Sequence, residues 1–175
     1  MAERMTQYKW FWAWDFDKEE RWLNEMASNG WVLVAVGFCR YTFERCEPGE
    51  YSIRLEMRDY DDNYISFIEE TGAEYIGRWF RWQFFRKRSE YGQFDLYSDI
   101  DSKLSHLNRI HKLLLALAII NIGIGTVNLL IGGTFATRSS LVAVFNYLVG
   151  VMLMYGVGRI KGKMEYLENE RQLRE

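Results

Sequence analysis

The sequence is poor in the residues that most often carry chemistry. In 175 residues it has two histidines, two cysteines and one proline. His106 and His111 stand five apart, so they do not share a helical face as a zinc-binding pair four apart would. Both are expected to be solvated or interfacial. Cys39 and Cys46 lack metal-ligand spacing. Their six intervening residues could close a disulfide across a hairpin, but free thiols in a reducing compartment fit the topology argued below. No Ser or Cys has a basic partner at a spacing typical of nucleophilic catalysis. The glycines Gly123, Gly125, Gly132 and Gly133 lie in apolar sequence and form no phosphate loop. Asp15-Phe16-Asp17 and Asp59-Tyr60-Asp61 look like D-x-D metal motifs, yet each precedes a predicted helix, where capping explains it. Catalytic, cofactor and metal residues are therefore not assigned, and a non-enzymatic role is expected. Residues 1–9 have no apolar core, so no cleaved signal peptide is expected. Residues 1–100 carry 13 basic against 19 acidic side chains. An acidic balance argues against nucleic acid as a partner, since phosphates demand a basic footprint.

Charge itself is missing from two long runs, residues 113–133 and 141–158, separated by a connector at 134–140 whose one charge is Arg138. Twenty-one helical residues rise ~32 Å, enough for a ~30 Å hydrocarbon core. The second run has 18, and Ser139 and Ser140 can extend it. These runs predict a transmembrane hairpin, with the lipid bilayer as partner. Lys103, Arg109 and Lys112 precede the first run, and Arg159, Lys161 and Lys163 follow the second. The positive-inside rule then places both termini in the cytosol and the connector outside, in a cell membrane. Asn121, Gly125, Asn128 and Gly132 share one face of the first span, and Asn146 lies in the second. Small and amide residues on one face predict helix–helix contact within the hairpin or in a homo-oligomer. The alternative is a polar pore, although neither run holds an ionisable residue.

What is abundant is aromatic. All seven Trp, nine of 11 Phe and eight of 11 Tyr fall in residues 1–100, and such side chains can build a core in a small domain. Residues 8–15 alternate Trp10, Trp12 and Trp14 with Phe11 and Ala13 and read as a twice-covered strand. Asp17 with Glu20 has the spacing of a capping box. Trp22, Leu23, Met26 and Ala27 follow at helical spacing, and Asn29-Gly30 ends that helix. Residues 31–45 read as one long strand, bulged near Gly37. A turn at Pro48-Gly49 leads into a half-buried strand with Tyr51, Ile53, Leu55 and Met57 on one face. A second helix runs from 59–62 to Thr71-Gly72, followed by a last long strand at 74–87. A short strand is possible at 94–97. Ser98 or Asp99 caps a helix that continues into the first span, and residues 161–175 form a short C-terminal helix beside it.

The order strand–helix–strand–strand–helix–strand also repeats. An offset of 42 carries Asp17 onto Asp59, Trp22 onto Tyr64, Leu23 onto Ile65, Met26 onto Ile68 and Gly30 onto Gly72. Two such units predict an α+β, ferredoxin-like βαββαβ domain over residues 1–97. Its most distinctive surface candidate is Arg78, Trp79, Arg81, Trp82, Arg86, Lys87 and Arg88. These residues form either a core strand with snorkelling basic side chains or a surface for anionic lipid or an acidic partner.

The stretch Asp15-Phe16-Asp17-Lys18-Glu19-Glu20-Arg21-Trp22-Leu23-Asn24-Glu25-Met26, with Gly30-Trp31, Tyr41-Thr42-Phe43 and Phe84-Phe85-Arg86-Lys87, resembles an uncharacterised bacterial family, domain of unknown function 2812. The resemblance covers about residues 8–110 and implies paired membrane helices after the domain. It also implies an association with PadR-type regulators, hence a role in envelope stress response, and it carries no site residues. The expectation is a membrane-anchored regulatory or adaptor protein binding a protein partner or an apolar ligand. The alternative is a homo-oligomeric channel or transport component lined by Asn121, Asn128 and Asn146.

Overall fold

A computed structural model describes residues 3–97, 99–132 and 138–173. The chain divides into two units, Met1–Asp99 and Ile100–Glu175.

The first unit is α+β, with two three-stranded antiparallel sheets. Strand β1 (Arg4–Tyr8) leads through a short 3-10 turn, Ala13–Asp15, to helix α1 (Phe16–Ser28), β2 (Trp31–Gly37) and β3 (Arg40–Arg45). Then β4 (Tyr51–Met57), α2 (Asp62–Glu70), β5 (Ala73–Trp79) and β6 (Trp82–Arg88) repeat the pattern. The sheets are ordered β1-β3-β2 and β4-β6-β5. The architecture is thus βαββ twice, where the sequence had predicted one βαββαβ layer.

Two features hid this. Both long predicted strands are hairpins, turning at Phe38-Cys39 and Phe80-Arg81. Tight hairpins usually announce themselves with Gly or Asn at positive φ. Here Cys39 (φ 51°) and Phe80 (φ 54°) take that conformation. The first strand is also displaced: β1 lies at Arg4–Tyr8, and Trp10 and Trp12 belong to no strand. The 42-residue repeat itself stands. It maps β2 onto β5 and β3 onto β6, and it maps the bulge between Leu33 and Ala35 onto the one between Tyr75 and Gly77.

Both helices end as their glycines predict, with Gly30 at φ 81° and Gly72 at φ 85°. A Cβ on Gly30 would also meet the Cys46 carbonyl oxygen at 2.9 Å, so that site demands glycine twice over. The predicted capping box does not form. Asp15 is the N-cap of α1, without a side-chain cap bond, and Glu20 turns instead to β4, accepting from the Leu55 amide at 3.2 Å. On α2, Asp61 caps as expected, accepting from the Asn63 and Tyr64 amides. Among the described residues 94–97 there is no strand; Phe94 is buried against Ile65, Ile68, Ala73 and Phe85. The larger core joins Leu23 and Ala27 of α1, Leu33, Tyr41 and Phe43 of the first sheet, and Ile53, Leu55 and Phe84 of the second.

Strand β4 is the edge of its sheet, and α1 satisfies its backbone. The Asn24 amide donates to the Ile53 carbonyl at 2.8 Å and accepts from the Ile53 N–H at 2.9 Å. An edge covered in this way is not a template for another chain.

The second unit is a pair of helices, α3 (Ile100–Gly132) and α4 (Arg138–Gln172), both long and apolar enough to cross a membrane. The predicted C-terminal helix is not separate; it continues the second apolar run without a break. Gly133 and most of the predicted connector, residues 134–137, lie outside the described residues, as does Ser98. His106 is buried rather than solvated. It falls on a four-residue repeat with Ile110, Leu114 and Ala118, all buried, and that spacing was readable in the sequence.

Candidate functional site: an aromatic cavity with one carboxylate

The first unit carries a half-open cavity of about 270 Å3. One wall is the segment Lys9, Trp10, Phe11 and Trp12; another is the β2–β3 hairpin with Val36, Phe38, Cys39 and Tyr41. The β5–β6 hairpin supplies Trp79, Phe80, Trp82 and Phe84, and α1 supplies Glu19. The Lys9 amide donates to the Cys39 carbonyl at 3.0 Å, which ties the first wall to the second.

Rings organise the rim. Trp10 meets Trp12 edge-on at 5.2 Å and Phe38 at 5.8 Å, while Phe38 lies 5.3 Å from Trp79. Trp12 stacks on Trp14 at 5.0 Å. Perpendicular and offset contacts of this kind are the favourable ones for aromatic quadrupoles. Trp10, Phe38, Trp79 and Phe80 remain exposed, whereas Tyr41 and Phe84 are buried at the inner end. Lys9 Nζ stands over the rings of Phe11 and Trp22, 5.0 and 4.5 Å from their centroids.

Glu19 is the one acidic side chain in this lining. The Tyr41 hydroxyl donates to its Oε1 at 2.7 Å. Burial pushes the Glu19 carboxyl up to about 7, against the Tyr41 hydrogen bond, which favours the charged form. Its own burial, and after it the Glu19 charge and hydrogen bond, raise the Tyr41 phenol above its usual range.

The surface candidates separate. Trp79 and Trp82 enter the cavity. Arg81 pairs with Asp59 at 2.7 Å, Arg86 with Glu74 at 2.7 Å, and Arg88 with Glu50 at 3.1 Å. Arg78 lies over the Tyr60 ring, and Lys87 sits between Ser52 and Ala73 in the sheet. The pleat puts Trp82, Arg86 and Arg88 on one face of β6 and Lys87 on the other, so these seven residues do not form one surface. Sequence reasoning missed Glu19, Tyr41 and the Trp10–Phe38 rim. A signal existed: Glu19 precedes Trp22 and Leu23 by three and four positions, on the apolar side of α1.

In the helical pair, Gly125 faces α4. A Cβ there would meet the Ala143 carbonyl at 3.3 Å and Asn146 Cβ at 3.4 Å. Asn121 and Asn128 are half-exposed beside that seam, and each donates to the carbonyl four residues earlier, as Asn146 also does. Gly132 is the last residue of α3. Both cysteines are free thiols. Asp15 pairs with Lys18 at 2.9 Å and Asp59 with Arg81, which occupies both D-x-D motifs in local structure.

Fold and cavity together define a duplicated βαββ domain followed by a pair of long apolar helices. The chain belongs to the family described as protein of unknown function (DUF2812), whose model matches residues 15–119. That match takes in Glu19, Tyr41, Trp79 and Trp82. No curated protein and no solved structure matches the chain.

Proposed function

We propose that this is a membrane-anchored, non-enzymatic regulatory or adaptor protein whose aromatic domain takes up an apolar ligand. The cavity carries the reading: it is walled by aromatic side chains and its lining contains one carboxylate. Concave, mostly apolar sites with few polar groups are what small-molecule binding requires. The two long helices support the anchor. Only 17% of the apolar window of α3 and 22% of that of α4 is buried within the protein, and the remainder needs lipid or other copies of the chain to cover it. With basic residues flanking both helices, the termini lie in the cytosol of a two-span cell-membrane protein.

Four of the seven tryptophans line the cavity, so intrinsic fluorescence reads its occupancy. Titrating the protein in nanodiscs with small aromatic hydrocarbons and amines should quench saturably, and a Trp82→Ala variant should weaken it. Linear, non-saturable quenching across the series would overturn the ligand-binding reading.

The second reading is a homo-oligomeric channel or transport component. Asn121 and Asn128 favour it, because they flank the seam instead of lying in it, where another copy could reach their amides. Ion flux in liposomes that falls on replacing Asn128 with Leu would support it; absence of flux from the purified protein would exclude it.

A further inference from the structure

We propose that the cavity selects an amphipathic organic cation, an ammonium group on a body about the size of one aromatic ring, with its charge against Glu19 and its body among Trp12, Trp79 and Trp82. This rests on the ligand-binding reading and adds to it the charge and size of the ligand.

A cavity for a neutral hydrocarbon has no use for a carboxylate, whose desolvation is unfavourable unless it is paired. Glu19 is incompletely paired. Among the described residues its one hydrogen-bond donor is Tyr41, on Oε1, and no Lys or Arg forms an ion pair with it. The surrounding ring faces attract positive charge, because the π quadrupole is negative on the face. Lys9 already demonstrates this at the mouth, with its ammonium over Phe11 and Trp22. A ligand cation deeper in the cavity meets the same kind of ring surface plus a formal negative charge. The raised affinity of Glu19 for a proton reports the same condition, a negative charge lacking a compensating cation. Size sets the rest: about 270 Å3 lies at the lower edge of the ~300–1,000 Å3 usual for ligand sites, which suits one ring and a small head group.

The test compares benzyltrimethylammonium, its neutral carbon isostere neopentylbenzene, and the anion benzenesulfonate. Tryptophan fluorescence of the full chain in zwitterionic nanodiscs is the readout, with empty nanodiscs subtracting partition into lipid. The expected result is that the cation binds about tenfold or more tightly than the isostere, the factor expected when cation–π attraction and one charged partner act together, and that the anion does not bind. Glu19→Gln should bring the cation to within about threefold of the isostere, the ring contribution alone. If the isostere or the anion binds the native protein as tightly as the cation, selection for positive charge is overturned and the apolar-ligand reading survives. If none of the three binds saturably, both are overturned.

Discussion

Replacing Glu19 with Gln should stabilise the domain at neutral and alkaline pH and leave it nearly unchanged in acid. The folded carboxyl titrates at about 7 against an ordinary 4.5, with burial the main cause. Between those values the folded chain holds a proton that the unfolded chain releases. Stability is therefore fully present below about pH 4.5, falls as pH rises, and levels off above about pH 7. A shift of that size corresponds to ~3 kcal/mol, and partial solvent access to the side chain brings this to ~2–3 kcal/mol. Gln keeps an oxygen for Tyr41 to donate to and carries no charge, so the variant should be more stable by about that amount at pH 8. For a domain of ~100 residues this is a rise of ~10–20 °C in melting temperature. All seven tryptophans lie in residues 1–100, so thermal unfolding followed by tryptophan emission reports on this domain in the intact protein. Glu20 is also raised by burial and contributes pH dependence of the same sign to both proteins, so the difference between the two profiles is the diagnostic quantity. Parallel profiles from pH 4 to 8 would refute the argument.

Two further substitutions probe the rest of the fold. Asn24→Leu removes both hydrogen bonds to Ile53, leaving its N–H unmatched and its carbonyl with the Arg54 guanidinium at 3.0 Å, which should cost ~1–3 kcal/mol; urea unfolding measures it, and a loss below ~0.5 kcal/mol would mean that water replaces the amide. In the helical pair a Cβ on Gly150 would stand 2.8 Å from Ile122 Cγ1, so Gly150→Val must displace Ile122 and should loosen the helix pair. A Cβ on Gly125 would stand 3.4 Å from Asn146 Cβ, close to the ~3.5–4.5 Å that a disulfide needs; a Gly125→Cys/Asn146→Cys pair, in a chain lacking Cys39 and Cys46, should cross-link efficiently and lose most of that yield when Val replaces Gly150.

Legibility in the sequence followed how local each signal was. Helix ends were readable because Gly30 and Gly72 announce them, and the apolar helices because nothing interrupts them. The hairpins were not, since Phe38-Cys39 and Phe80-Arg81 turn without the residues that normally mark a turn, and continuous β-prone sequence on both sides reads as one strand. Trp10, Trp12 and Trp14 misled in a different way. Apolar residues on both faces of an extended stretch fit a buried strand, yet here the same pattern serves one ring layer at a cavity rim and another behind it. Tyr41 and Glu19 meet across 22 positions, and their pairing depends on how α1 lies on the first sheet, which no window of sequence encodes.

The duplication explains why the cavity takes its carboxylate from the first repeat alone. At the offset of 42, Glu19 corresponds to Asp61 and Tyr41 to Gln83. In the second repeat Asp61 caps α2, and Gln83 is buried, donating to the carbonyls of Arg58 and Asp59 at 3.2 and 3.0 Å. There the strand-to-helix connector is residues 58–61, short enough for Gln83 to close it. The first repeat has residues 9–15 in the same place, a connector three residues longer, and it bears Trp10, Phe11 and Trp12. The longer connector forms a wall of the cavity; the equivalent acidic position is not consumed as a helix cap, and the equivalent strand position carries a phenol reaching that carboxylate. A repeat that needed only stability had the shorter solution available, as its partner shows. Retaining a half-buried carboxyl whose charge opposes folding above pH 7 is the pattern expected where a binding site is maintained against the stability of its own domain.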